Sequence, residues 1–336
     1  MKHPEKTITQ PERRTSQLRN QQRYGTKVTS LVVSLPSKPL ADFGKALGTL
    51  AYLLDNRHRR IVRRNLRFIY PHWSKRHIRK TSRRVFQNVG ISVFENLQMA
   101  FFTRKEILRR IQIKGKENLL DAAKNPNGAI LISAHLGNWE MTHIYGACLM
   151  KTAPVLVVRK VRPDFLNRWI NGFRSRFGSI ILDKAGALPG LLRALRSGKV
   201  VGLLIDQGTL RTEGIEIEFL GKTAIATPAA AILARRFDSP VLPAFCVREC
   251  NGRLTFVVEP PLPLKKTEDR QADIKENTQI MNVALERNIR AFPDQWFWFH
   301  KRWKRHYPQL YPEDLAKRRR DKEKRRKRGQ FRARGS

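Results

Sequence analysis

The sequence is short of acidic residues, of cysteine and of uninterrupted apolar runs, and each shortage excludes something. Only 28 Asp and Glu stand against 67 Lys and Arg, a formal charge of +39. So unbalanced a chain calls for an acidic partner surface, whether nucleic acid, anionic lipid or an acidic carrier protein. Cys148, Cys246 and Cys250 are the three cysteines. An odd count gives no disulfide framework, and Cys246-x3-Cys250 has no second pair to complete a zinc site, so no metal is implied. The apolar stretches between Lys27 and Lys38 and between Lys45 and Asp55 fall well below the ~20 residues of a spanning helix. The first 27 residues are polar and basic, without the apolar centre of a secretory leader. Gly-x-Ser-x-Gly, a Walker loop and a dinucleotide glycine fingerprint are all missing, so neither a serine elbow nor a bound nucleotide cofactor is indicated.

What is present is a chain long enough, at 336 residues with 41% hydrophobic content, to bury a large core. Residues 1–27 read as a disordered basic arm, 28–312 as the folded domain and 313–336 as a polybasic tail with twelve Lys or Arg from Lys317 onward. Within the domain, Leu40, Phe43, Leu47, Leu50 and Leu54 recur at spacings of three and four, the stripe of an amphipathic helix. Residues 56–84 then carry twelve Lys or Arg and no acid. An apolar stripe beside such charge suits an interfacial helix on an anionic leaflet, so residues 38–102 are expected to lie against a membrane surface. The plainer alternative is a surface helix packed on its own core.

Residues 75–102 read as helical throughout, and after them strand and helix patterns alternate. Strands are expected at 129–134, 154–158, 179–182, 200–205, 215–219, 241–247 and 254–258. Helices are expected at 117–124, 139–150, 163–177, 187–197, 227–236 and 270–292. This is the pattern of an α/β fold with a mixed, largely parallel sheet covered by helices.

One stretch organises the rest. Ala129–Ala134 reads as a buried strand, and His135 and Glu140 follow it around a turn that Gly137 allows, at the mouth of a helix. Open α/β sheets place their chemistry beyond the carboxyl ends of the strands. There Glu140 is expected to fold back on His135, fix its tautomer and leave the other ring nitrogen as a general base. Asp206-Gln207, closing a second buried strand, belongs on the same rim, binding substrate or capping the turn at Gly208. Arg159, ending a third strand, is placed to bind a phosphate or an oxyanion. The cluster Trp296 to Trp303 fits a membrane interface, a nucleic-acid stacking surface or closure of the core.

Ser133-Ala-His-Leu-Gly-Asn-Trp-Glu140 resembles the His-x4-Asp/Glu block of the lysophospholipid acyltransferase superfamily, in particular its branch of bacterial lipid A biosynthesis acyltransferases. Arg159, Arg174 to Gly178, Val201 to Gln207, Phe219-Leu-Gly221, Thr227 and Gln295 to Trp303 match in the same order, over roughly residues 30–310. The resemblance implies a glycerolipid acyltransferase-like fold and an enzyme that moves a fatty acyl chain from a thioester to a hydroxyl of an anionic lipid. His135 and Glu140 would be catalytic. Arg159, Asp206, Gln207, Asn138 and Gly137 would bind substrate, with the amides near Gly137–Asn138 facing the oxyanion. Acyl carrier protein is the donor expected ahead of coenzyme A, a lipid A precursor the first acceptor, and the cytoplasmic face of the inner membrane the location. No cofactor is implied. Transfer to a lysophospholipid, aminolipid or glycolipid is the near alternative, and a nucleic-acid-binding basic protein the distant one.

Overall fold

The computed structural model describes residues 37–150, 153–316 and 320. The expected N-terminal arm and nearly all of the basic tail lie outside the described residues. Among the described residues three helices come first, α1 (Ser37–Leu54), α2 (Asn56–Ile69) and α3 (Lys75–Met99). Asp55 caps α2 by accepting the His58 amide at 3.0 Å, and Ser74 caps α3 by accepting the His77 amide at 3.1 Å. Such caps satisfy amides the first turn leaves open.

α1 packs on α3 through glycine. A Cβ at Gly48 would lie 2.4 Å from the Phe86 carbonyl, and one at Gly90 would lie 2.2 Å from that of Gly44. Only backbone-to-backbone approach is possible there. The apolar stripe therefore points elsewhere. Phe43, Leu47, Leu50 and Leu54 are 53%, 40%, 49% and 71% exposed. Phe43 still meets the Phe94 ring of α3 edge-on, with centroids 5.1 Å apart, while the leucines of the stripe stay largely open. α2 behaves differently. Its Ile61, Val62, Leu66 and Ile69 are buried beneath the basic face.

A short helix, α4 (Arg104–Arg110), opens with a Thr103–Glu106 capping box and leads into β1 (Gln112–Lys114) and α5 (Lys116–Ala122). Then come β2 (Ala129–Ser133), α6 (Trp139–Leu149), β3 (Val155–Val158), α7 (Asp164–Ser175), β4 (Ile180–Asp183), α8 (Ala187–Arg196) and β5 (Val200–Leu204). The hairpin β6 (Ile215–Phe219) and β7 (Lys222–Ala226) precedes α9 (Ala229–Phe237), β8 (Val241–Arg248), β9 (Leu254–Val258) and α10 (Arg270–Ala291). Seven strands form one sheet in the order β1-β9-β8-β2-β5-β3-β4. β8, β2, β5, β3 and β4 run parallel, and β9 pairs antiparallel with β8 and parallel with β1. The expected mixed, largely parallel sheet covered by helices is the observed one. β1, β7 and α4 went unread: β1 has three residues and α4 seven, too short to declare a period, and the Lys-Thr-Ala-Ile-Ala run of β7 does not alternate apolar with polar.

β2 lies in the middle and is buried along its whole length. Its carboxyl end, and those of β5, β3 and β8, open on one rim. The segment after α10 returns across that rim and reaches a 3-10 turn at Pro308–Leu310. Trp296, Trp298 and Trp303 are 2%, 0% and 0% exposed, so the Trp residues close the core and do not face a membrane or a nucleic acid. Asn65 of α2 donates to the carbonyls of Trp298 and His300 at 2.8 and 3.0 Å and accepts from the Tyr311 hydroxyl at 2.7 Å, which ties that segment to the N-terminal helices.

Candidate active site

Parallel pairing aligns Ser133 of β2 with Leu204 of β5. Two residues past each strand end, His135 and Asp206 therefore meet. His135 Nδ1 donates to Asp206 Oδ1 at 2.8 Å, and the His135 amide donates to Asp206 Oδ2 at 3.1 Å. The Trp296 indole donates to the same Oδ2 at 2.8 Å. With Nδ1–H committed to the carboxylate, Nε2 is the nitrogen left for chemistry. Trp139 and Phe297 flank the imidazole, with ring centroids 5.4 and 6.1 Å away, and its side chain keeps 22% exposure while Asp206 keeps 2%.

The electrostatics follow from this pairing. Burial pulls the imidazole down, but the charge and hydrogen bond of Asp206, helped by Glu140, carry it above its ordinary value. Burial alone would raise Asp206; the imidazole and the donors around it hold it down to about 2.

The carboxylate on the imidazole is thus Asp206 and not Glu140. The turn explains why. Gly137 has φ +60°, and a Cβ there would lie 2.2 Å from the Cys246 carbonyl. Single bridges from Leu136 to Trp296 and from Gly137 to Cys246 pin the turn on both sides. Glu140 emerges on the first turn of α6 and faces α7. There it accepts from Arg174 Nε at 2.8 Å and Nη2 at 2.5 Å, a two-pronged pair. Burial raises this carboxyl, and Arg174 outweighs burial to leave it below its usual range.

The Gly137–Asn138 amides differ from the expectation too. Gly137 N–H donates to the Gln295 carbonyl at 3.1 Å and Asn138 N–H to the Cys246 carbonyl at 2.8 Å. Both are spent on holding the turn. The Asn138 side chain is buried and donates to Glu95 at 3.0 Å, while Glu95 pairs with Arg248 at 2.5 Å. Gly137 and Asn138 thus spend their backbone amides on the turn, and Asn138 Oδ1 is buried without a hydrogen-bond partner. Gln207 stays beside the reaction centre, its Nε2 3.4 and 3.5 Å from the two ring nitrogens of His135. Arg159 sits exposed on the rim just past β3. Arg174 is the site residue to which sequence reading assigned no role. Its register with Glu140 depends on how α7 lies on α6, which no local spacing encodes.

The model of bacterial lipid A biosynthesis acyltransferases matches residues 12–305. The chain belongs to this family. It is 26% identical over 284 residues to the lipid A biosynthesis lauroyltransferase of Escherichia coli, covering 83% of this chain and 90% of that protein. It is 24% identical over 286 residues to the palmitoleoyltransferase of the same organism, covering 84% and 90%. It is 26% identical over 215 residues to the phosphatidylinositol mannoside acyltransferase of Mycobacterium tuberculosis, covering 62% of this chain and 66% of that protein.

An acyltransferase of this family needs apolar room beside its reacting centre, and such room is present. An apolar cavity opens between β2, β5 and β3 on one side and α6 on the other. Leu131, Met150, Leu156, Val157 and Leu203 line its walls, and Trp139, Glu140 and Arg174 lie at its polar end. A second, wider groove runs between α1, α3 and the β8–β9 turn. Lys38, Lys45, Arg109 and Arg253 line it, with the Glu95–Arg248 pair at its inner side. Among the described residues no helix is long and apolar enough to cross a membrane.

Proposed function

We propose that this acyltransferase moves a fatty acyl chain from a thioester on acyl carrier protein to a hydroxyl of an anionic lipid, a lipid A precursor first, on the cytoplasmic face of the inner membrane. The observation that carries the reading is His135, oriented by a buried carboxylate, on a strand-end rim beside an apolar cavity. His135 Nε2 takes the proton of the acceptor hydroxyl as its oxygen attacks the thioester carbonyl. The carbonyl π pair moves onto oxygen, and Gln207 Nε2 donates to that oxyanion. The oxyanion then collapses, the carbon–sulfur bond breaks, and the leaving thiolate takes the proton back from the imidazolium. Asp206 keeps the tautomer and stabilises the charged ring. Glu140 and Arg174 brace the start of α6 against α7. The acyl tail occupies the cavity, whose walls are apolar.

The charge of +39 supports a carrier protein over coenzyme A, since an acidic donor is steered to a basic surface. The exposed stripe of α1 supports seating on a membrane. The relatives named phosphatidylinositol mannoside acyltransferases favour keeping glycolipids in the acceptor panel.

The test is transfer of labelled acyl groups from carrier protein or coenzyme A to a panel of lysophospholipids, aminolipids, glycolipids and lipid A precursors, with wild type beside His135→Ala. Label on a lipid A precursor with wild type alone is the expected result. Undiminished turnover by a folded His135→Ala protein would overturn the base, and label on a different lipid would overturn the acceptor.

A further inference from the structure

Phe165, Trp169 and Phe173 recur every four residues on one face of α7, and Trp169 stacks on Phe173 with ring centroids 6.3 Å apart. Phe173 is buried, and Arg174, next in sequence, reaches Glu140. Toward the start of the helix the same face is open, with Phe165 66% exposed, Trp169 45% exposed and Arg168 beside them. A surface helix ordinarily turns its apolar face inward. Large aromatics left open mark a surface with a partner.

The surroundings say which partner. Arg159, Lys160 and Arg162 precede the helix, Arg168 sits beside the open aromatics, and Arg176 follows. The one acid among them, Asp164, is answered by Lys160 at 3.2 Å. Aromatic rings with cations beside them fit the head-group level of an anionic leaflet, where Trp is amphipathic enough to rest and the cations meet lipid phosphate. A guanidinium nitrogen of Arg176 donates to the Ala100 carbonyl, next to Phe101, itself 41% exposed. The helix end therefore abuts the end of α3, the helix on which α1 packs.

We propose that α7 is a membrane-docking element in its own right, seating Phe165 and Trp169 in the interface of an anionic bilayer. The proposal rests on the reading of the enzyme as a membrane-surface acyltransferase and adds a second point of contact, one that belongs to the site. The helix that rests on lipid is the helix that holds Glu140 through Arg174, and Arg174 stands at the polar end of the acyl cavity. Lipid arriving along α7 arrives at the reacting centre.

The experiment uses full-length protein and vesicles of phosphatidylglycerol and phosphatidylethanolamine, with and without brominated acyl chains. Bromine should quench wild-type fluorescence, and the quenched share should shrink in Trp169→Phe. Phe165→Ser/Trp169→Ser should bind these vesicles about tenfold more weakly, with turnover on detergent-dispersed acceptor unchanged. A Leu50→Ser/Leu54→Ser protein reports on α1 separately. Wild-type binding with equal quenching in Trp169→Phe, and undiminished binding by the α7 double variant, would overturn the proposal while leaving the membrane reading in place. Weaker binding of acyl carrier protein by the α7 variant with vesicle binding intact would assign the face to the donor and overturn it too. Failure of wild type to bind anionic vesicles would overturn both readings together.

Discussion

His135 Nδ1 lies 2.8 Å from Asp206 Oδ1, although 71 positions separate the two residues. A buried carboxylate on one imidazole nitrogen sets both the tautomer and the basicity of the other. Asp206→Asn should therefore lower kcat about 10²–10⁴-fold with little change in KM. The pH dependence gives a second reading. A general base works when neutral, so activity rises with pH through a value above the ordinary 6.5, where Asp206 holds the ring. In Asp206→Asn, burial acts without its counterweight, and the acidic limb should move to lower pH. A pH–rate profile of both proteins measures this; an unmoved limb would mean that Asp206 only caps its turn.

The Glu140–Arg174 pair makes a different prediction. Their side chains are 16% and 14% exposed, and removing one partner of so buried a pair leaves the other unpaired at a cost of about 3–5 kcal/mol. Glu140→Gln should melt earlier and lose activity. Glu140→Gln/Arg174→Met should recover most of the stability in urea denaturation and stay inactive, since the brace between α6 and α7 at the cavity's polar end is gone. Activity returning with stability in the double variant would reduce the pair to a packing role.

Much of this site was legible in the sequence, and what was not has an identifiable reason. The strand-end positions of His135, Asp206, Gln207 and Arg159 follow from apolar runs ending in polar residues, which sequence displays directly. The sheet was legible as alternation. The partner of His135 was not, because it depends on β2 pairing with β5 in the register that sets Ser133 against Leu204. Glu140 is nearer in sequence, but Gly137 turns the chain in the left-handed region and points α6 away. The same non-local blindness hid the Gln295 and Cys246 carbonyls that consume the Gly137 and Asn138 amides. It also hid the glycine seam between α1 and α3, which is what leaves the α1 stripe exposed. Composition alone could not decide whether Trp296, Trp298 and Trp303 face lipid or core; three-dimensional closure across Asp206 does.

Buried histidines predict an acid limit to stability. Burial holds His143 and His300 down to about 4, and His143 Nε2 and His300 Nδ1 have no hydrogen-bond partner. Each is neutral in the fold and takes a proton readily once unfolded. The stability they contribute is present above pH 6.5 and is lost as the pH falls from there toward 4, by about 1–3 kcal/mol each. His135, shifted upward, adds nothing to that window, since its contribution is already complete below 6.5. Urea midpoints between pH 7 and 4.5 should fall, and His143→Gln should flatten about half of the slope. A slope unchanged in that variant would place the acid sensitivity elsewhere.

Glycine in the cavity wall predicts chain-length selectivity. Gly146 lies inside α6 and lines the apolar cavity, where a Cβ would meet only Met150 Cε at 3.7 Å. Gly202 of β5 lines the same cavity, but a Cβ there would press on Leu156 Cδ2 at 2.8 Å. The two positions therefore answer differently to enlargement. Gly146→Ala removes backbone freedom from the unfolded chain without a clash and should stabilise the protein by about 0.5–1 kcal/mol. Gly146→Leu fills space that the tail of a long acyl chain would occupy. A filled apolar pocket rejects a few methylenes by about 1–3 kcal/mol, or 10–200-fold. Competition between short and long acyl carrier protein thioesters should therefore shift toward the shorter chain in Gly146→Leu, with kcat on the short chain retained. Gly202→Ala should shift it the same way and melt earlier, because Leu156 must move first. An unaltered chain-length profile in Gly146→Leu would mean that the acyl tail lies outside this cavity, and the wider groove beside Glu95 and Arg248 would then be the place to look for it.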